Sequence, residues 1–279
     1  MKSMHERIRE HLLKRTPRRH GDIPLTLLPS RIDEKHPRYH QVKEMLTYDQ
    51  LPSSASVLPE MAQVSTFNQG QFGTCQTVCW TKYMKALQAI LGGYWPTDGQ
   101  GFSAKFNYDI MKASQPVSEQ STAGGSIDES LVTGQTCGVV PESDDPYSTM
   151  TTDVGNTMPS AALLAQGSHK LGAAHPIYTE TDASRSPEGI MNAIYYKKGA
   201  LIGVLVCGNF LTPVLQPDGS YLIPLPDGTI EGGHALFAYA YEKTTAGQAS
   251  FDCIWNSWGP DWPATGMLGK AKLDSSWLT

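Results

Sequence analysis

The strongest hydrophobic periodicity in the chain spans residues 74–91, where Val78, Tyr83, Met84, Leu87, Ile90 and Leu91 recur mostly three and four positions apart. That spacing predicts a helix, and Gly92-Gly93 supplies its stop. Two more helices are expected at 103–113 and around 127–135, the second after the loop Ala123-Gly124-Gly125-Ser126. Asp145-Pro146-Tyr147 reads as a turn, and residues 148–185, rich in Thr, Ser, Gly and Ala, as irregular surface structure. A helix is predicted over 187–198, with Ile190, Ala193 and Ile194 inward. The pattern then changes to that of strands. Residues 200–207 are almost continuously apolar, as in a strand buried on both faces. Further strands are expected at 221–224, before a Pro226-Asp227-Gly228 turn, and at 234–242, 250–256 and 267–273. Helices first and strands second argue for an α+β protein of two lobes.

The first 50 residues follow a different pattern. A short helix at 5–14 would carry Ile8, Leu12 and Leu13 on one side, and a second at 39–48 would align Val42, Met45 and Leu46. Pro17, Pro24, Pro29 and Pro37 forbid a longer one. Residues 2–19 hold seven Lys or Arg against two acidic residues, and five of the eight histidines precede residue 41. Two readings stay open: a pro-segment or docking arm, and a solvated basic extension. From Leu51 the composition is that of a folded unit, so the expected division is 1–50 and 51–279.

Composition narrows the function classes. A chain of 279 residues can bury a large core, and a net charge of −5 gives no reason to expect nucleic acid or an anionic membrane as partner. No run of about 18 apolar residues marks a membrane-spanning helix, and residues 1–20 show no secretory signal. The five cysteines are odd in number and lack metal-knuckle spacing. A cytoplasmic or other reducing compartment is expected, with at least one thiol free to react and with neither metal nor organic cofactor; delivery elsewhere by a route not visible in the sequence stays open.

The candidate chemistry lies in three short segments. Asn68-Gln69-Gly70-Gln71-Phe72-Gly73-Thr74-Cys75 places a thiol at the start of the strongest helix, where unpaired N–H groups favour a thiolate. Gly232-Gly233-His234-Ala235 places an imidazole at the start of a strand, and a histidine near the thiol would add an ion pair. Trp255-Asn256-Ser257-Trp258-Gly259 supplies an amide between two indoles. Acyl transfer needs donors aimed at a developing oxyanion, and the Gln69 side chain with the Cys75 N–H would serve.

Gln69-Gly70-x-x-Gly73-x-Cys75 resembles the active-site segment of the papain-like cysteine peptidases. Gly233-His234-Ala235 is similar to their histidine strand, and Asn256-Ser257-Trp258-Gly259 to their Asn-Ser-Trp-Gly segment; Gly124-Gly125 and Asp145-Pro146-Tyr147 resemble further landmarks. The resemblance runs from Leu51 to about Leu273. It implies a helical N-terminal lobe carrying the Cys75 helix, a strand-rich C-terminal lobe carrying His234 and Asn256, and a cleft between them. It makes Cys75 the nucleophile, His234 the general acid and base, Asn256 the group orienting the imidazole and Gln69 the oxyanion donor. Trp258 would shield the Asn–His hydrogen bond, and Gly125 would pair with an extended polypeptide substrate. Gly124, Gly233, Ala235 and Trp258 complete the expected substrate-binding set, with Ala200, Leu201 and Ala235 lining an apolar pocket. The N-terminal segment would cover the cleft, although it carries none of the family's pro-region motifs.

Several positions depart from the family pattern. Gln76 stands where a Trp usually follows the nucleophile, and Phe72 replaces a cysteine that secreted members pair in a disulfide. Gly233 replaces an acidic residue or Asn. The intervals from Cys75 to His234 and Asn256 exceed the usual ~130–150 residues. Cys79-Trp80 mimics the family's Cys-Trp pair, but choosing Cys79 would place the thiol a helical turn deeper, so Cys75 is preferred. Cys79, Cys137, Cys207 and Cys253 read as core thiols, and His169 and His175 as surface histidines. The expected activity is cysteine endopeptidase hydrolysis through a thioester. Two alternatives remain: an amidase or transferase acting on a non-protein or cell-wall amide, and a weakly active or inactive papain-like binding module, which Gln76 favours.

Overall fold

The computed structural model describes residues 19–20, 23–24, 44–57, 67–92, 101–172, 174–177, 186–196, 199–244, 247–254 and 256–278. The helix expected at 5–14 and the first part of the one at 39–48 lie outside them, as does Trp255. Strands β1 (Arg19–His20) and β2 (Ile23–Pro24) form an antiparallel pair. β3 (Ser54–Ser56) precedes the helices α1 (Cys75–Gly92), α2 (Ala104–Ser114), α3 (Val117–Gln120), α4 (Ile127–Thr136) and α5 (Ala161–Leu164). α6 (Glu188–Tyr195) leads into β4 (Ala200–Cys207), β5 (Val214–Leu215), β6 (Tyr221–Ile223), β7 (Ile230–Lys243), β8 (Ala249–Ile254) and β9 (Ala271–Asp274).

β7 organises the strand-rich half. Its residues 232–241 are buried without interruption, so both faces are covered. β4 and β3 pair with β7 on one edge and β8 on the other, in a curled half-barrel ordered β3-β7-β8-β9-β6-β5. Among the described strands, only β6 and β9 run parallel. A register shift in β7 between Ala238 and Ala240 gives the sheet a local bend.

α1 fills the space between the halves. Cys75, Cys79 and Ala86 join the cluster beneath the sheet, Val78 packs with Tyr108 and Met111 of α2, and Trp80 and Met84 pack with Val139. Its first two turns, residues 75–82, are buried on every side, with Gln76 and Lys82 among the covered side chains, and burial becomes partial beyond them. α4 approaches so closely that a Cβ on Gly134 would lie 2.3 Å from the Trp80 ring. Local signals start the other helices. Ser103 accepts the Phe106 N–H at 2.9 Å to cap α2, and Ser126 with Glu129 forms a reciprocal capping box on α4.

The structure corrects several expectations. Residues 44–47 are not helical, because the Asn192 amide takes both the N–H and the C=O of Leu46 at 2.9 Å. Leu46 and Tyr48, ahead of Leu51, pack against the sheet core. β4 alternates rather than being buried throughout: Ala200, Ile202, Val204 and Val206 are buried, whereas on the opposite face Leu201 is half-buried and Gly203 and Leu205 are exposed, since packing against that face does not extend past Leu201. β7 starts at Ile230 rather than His234, since Gly232 and Gly233 pair with Val206 and Leu205 instead of turning. β9 starts at Ala271; Leu268 and Gly269 ahead of it have positive φ and form a turn.

Candidate active site

The segment before α1 is stitched to the C-terminal part of the chain. Asn68 bridges Trp258, the Gln69 N–H donates to the Ser257 carbonyl at 2.8 Å, and the Gly259 N–H donates to the Phe67 carbonyl at 3.2 Å. Gly70, at φ +58°, turns the chain toward the helix. The Tyr147 hydroxyl donates to the Gln69 carbonyl at 2.9 Å and lies 2.6 Å from Thr74 Oγ1. A phenol has one proton to give, so Thr74 is the donor in that second bond. The Gly73 N–H donates to Asp153 Oδ2 at 2.7 Å. The Thr74 carbonyl accepts the first helical bond, from Val78, so Cys75 is the first residue of α1.

His234 lies on β7 opposite Val204. Its Nε2 is 2.7 Å from Asn256 Oδ1. An amide oxygen only accepts, so Nε2 carries the proton and Nδ1 is left as the basic nitrogen. The Asn256 N–H is anchored on the Gly269 carbonyl at 3.1 Å. Trp258 stacks on the imidazole with centroids 4.5 Å apart, and Phe210 meets Trp258 edge-on and stacks on Trp262. His234 and Asn256 are both fully buried beside these rings.

The fold around these side chains can be compared with known proteins. No family model matches the chain, and neither does any curated protein. Solved structures do. Xylellain, a cysteine protease from Xylella fastidiosa, is 19% identical, each chain being covered to 88%, with a TM-score of 0.62. Procathepsin L 3 of the Tenebrio molitor larval midgut is 16% identical over 95% of this chain and 72% of that one, with a TM-score of 0.56. The bromelain protease of Ananas comosus, in complex with the E64 inhibitor, is 18% identical over 80% and 89%, with a TM-score of 0.53. The fold is papain-like.

Within this papain-like fold, Gln69, Cys75, His234 and Asn256 are each 0% exposed. Burial pushes the Cys75 thiol up to about 12, against the backbone N–H groups of Ala235, Gln76 and Cys75 itself. Burial also brings His234 down to about 4, with the Asn256 bond opposing and the Lys82 charge adding to the fall. Thiol and imidazole are therefore both neutral at pH 7 in this state. The thiol donates to Gln76 Oε1 at 3.5 Å, and His234 Nδ1 has no hydrogen-bond partner. Gln69 is held at both ends of its amide: Nε2 donates to the Phe72 carbonyl at 2.9 Å, and Oε1 accepts from Ser257 Oγ. Its second Nε2 hydrogen remains to be given.

The other expected site residues are placed as follows. Gly124 has φ +90°, donates its N–H to the Tyr108 hydroxyl at 2.9 Å and accepts from Lys112 Nζ at 3.3 Å. Gly125 lies against Met111, whose Cε would be 2.6 Å from a Cβ there. Gly233 is opposite Leu205 and Ala235 opposite Gly203, both inside the sheet. Gly203, rather than Ala200 or Leu201, thus faces Ala235; Leu201 packs toward Trp80 and Met84. Cys79 sits one turn behind Cys75 in the core, Cys207 is buried and Cys137 half-buried. The Cys253 side chain lies outside the described residues. His169 is exposed and His175 half-buried. Sequence patterns gave no sign of Ser257 holding Gln69 or of Met111 touching Gln76, contacts between residues far apart in the chain. Among the described residues no group of His, Cys, Asp or Glu converges as a metal site does, and no helix is long and apolar enough to cross a membrane.

Proposed function

We propose that the protein is a cysteine peptidase that hydrolyses peptide bonds through a thioester acyl-enzyme. The observation that carries this reading is the His234–Asn256 pair beneath Trp258, on a papain-like fold that starts its central helix at Cys75. In this mechanism the Cys75 proton passes to His234 Nδ1 as sulfur attacks the carbonyl carbon of the substrate. The Cys75 N–H and the second Gln69 Nε2 hydrogen take the charge that develops on the carbonyl oxygen. His234 then protonates the leaving amine, and water deprotonated by the same imidazole cleaves the thioester. Asn256 fixes the tautomer that leaves Nδ1 basic. Gly124, Gly125, Gly233 and Ala235 are assigned to the polypeptide substrate, and residues 51–279 to the peptidase unit.

The burial of all four groups supports a latent form, with the segment ahead of residue 44 acting as its inhibitor. The similar procathepsin L 3 is a procathepsin. The test of the main reading is E64, the inhibitor in complex with the similar bromelain. E64 should label Cys75, and Cys75→Ala should lower peptide hydrolysis on the order of 10⁴-fold or more. Equal hydrolysis by the Cys75→Ala protein would overturn the assignment.

A further inference from the structure

We propose that Gln76 is a positioning residue that latches the Cys75 thiol away from His234, its amide oxygen taking the hydrogen bond that Nδ1 must receive for the proton to transfer. The inference rests on Cys75 being the nucleophile of the proposed reaction. Gln76 is fully buried as the second residue of α1, and its Oε1 accepts from Cys75 Sγ at 3.5 Å while His234 Nδ1 stands without a partner. A carbonyl oxygen can accept from S–H but presents only lone pairs to a sulfur anion, so this contact favours the thiol over the thiolate.

The amide is also prevented from turning round. Its Nε2 donates to Met111 Sδ at 3.7 Å, and a thioether has no hydrogen to give back. Reversing the amide would set oxygen against sulfur, lone pair to lone pair. Met111 is itself fixed: Ser130 Oγ lies 3.4 Å from its sulfur, and its Cε fills the space that a side chain on Gly125 would need. The latch therefore runs Ser130, Met111, Gln76, Cys75, and Met111 touches the glycine assigned to the substrate backbone.

The other groups around the thiol do not substitute for it. From β7 comes the Ala235 N–H, next along the strand from His234; from α2 comes Tyr108, and from the segment after α4 comes Tyr147. Burial holds both phenols above their ordinary range, so neither changes charge near neutrality. Asp153 acts on both phenols, and the Lys82 charge bears on His234. Transfer breaks the S–H bond and forms N–H at Nδ1, with the electron pair kept on sulfur. The hydrogen bond to Oε1 is given up in that step, in addition to the burial that already favours the neutral thiol and imidazole.

The test is a pH titration of thiolate absorbance in the full-length protein, each variant read against the same variant carrying Cys75→Ser. Gln76→Leu removes the acceptor and should move the Cys75 transition down by about one pH unit or more, a tenfold gain in thiolate at a given pH. Met111→Leu, a volume-conserving change that frees the amide to turn, should move it the same way, and Gln76→Glu the opposite way. The Met111 variant keeps the test decisive if Gln76→Leu does not fold. A Cys75 transition unchanged in the folded Gln76→Leu and Met111→Leu proteins, or lowered by Gln76→Glu, overturns the latch. Thiolate absorbance needs no substrate, so failure of the peptidase reading appears separately, as unimpaired hydrolysis by Cys75→Ala.

Discussion

His234 has its Nε2 proton placed by Asn256 and one face covered by Trp258, and both contacts bear on how it titrates. Replacing Asn256 with Ala should reduce kcat about 100-fold in a protein that still folds, because the imidazole can then turn or adopt the other tautomer. Equal kcat in the two proteins would remove the orienting role. The depressed pKa of His234 also has a sign for stability. The unfolded chain takes up the proton near pH 6.5 and the folded chain only near 4. This stability is fully present above pH 6.5 and lost as pH falls through 4, an effect of about 3 kcal/mol. Thermal melts between pH 7 and 4 should therefore fall more steeply for the parent than for His234→Gln, and parallel curves would refute it. The candidate residues were legible in the sequence because each has a local context: glycines before the thiol, Gly-Gly before the imidazole, indoles around the amide. Gln76 stood out only as a departure, since its partner Met111 lies 35 positions away.

Helix signals were the most legible elements, and for identifiable reasons. Ser103 and the Ser126/Glu129 box mark their helix starts within four residues. β3 and β5 are too short to show alternation, and Gly232-Gly233 looks like a turn until β4 is beside it. The close approach of α4 to α1 has a direct consequence: Gly134→Ala should destabilise the protein by about 2 kcal/mol through overpacking on Trp80, measured by denaturant unfolding. An unchanged midpoint would mean that the two helices can separate freely. The loop from α3 to α4 depends on Lys112, a buried ammonium whose three hydrogens are shared among four acceptors: Gln115 Oε1 at 2.5 Å and the carbonyls of Thr122, Glu119 and Gly124 at 2.6, 3.0 and 3.3 Å. Burial draws its pKa down to about 8, with Glu129, Glu119 and Asp153 opposing. Lys112→Met leaves those carbonyls without their donor. It should cost about 2–4 kcal/mol and, with Gly124 and Gly125 holding substrate, raise KM several-fold more than it lowers kcat. A lower kcat at constant KM would argue against that use of the glycines.

At the scale of the molecule, helices first and strands second holds for the described residues from 44 onward with two exceptions that periodicity does not reveal, and the β1–β2 pair also precedes the helices. Residues 44–57 precede the helices yet belong to the sheet, through Leu46, Tyr48 and β3. Residues 67–69 precede α1 yet pair with 257–259. For this reason a deletion testing the proposed N-terminal inhibitor should stop at residue 43. Loss of residues 1–43 is expected to speed E64 labelling of Cys75 at least about tenfold, and no gain would assign the segment to docking or targeting instead. The pairing of 67–69 with 257–259 also has a consequence for synthesis. Gln69 precedes its partner Ser257 by 188 residues, and Asn256 and Trp258 come from the last part of the chain. An unfinished polypeptide therefore carries the thiol and the imidazole without the amide and indole that orient them. Hydrolytic competence, on the proposed mechanism, is reached only after residues 256–259 have been synthesised and 257–259 have paired with 67–69.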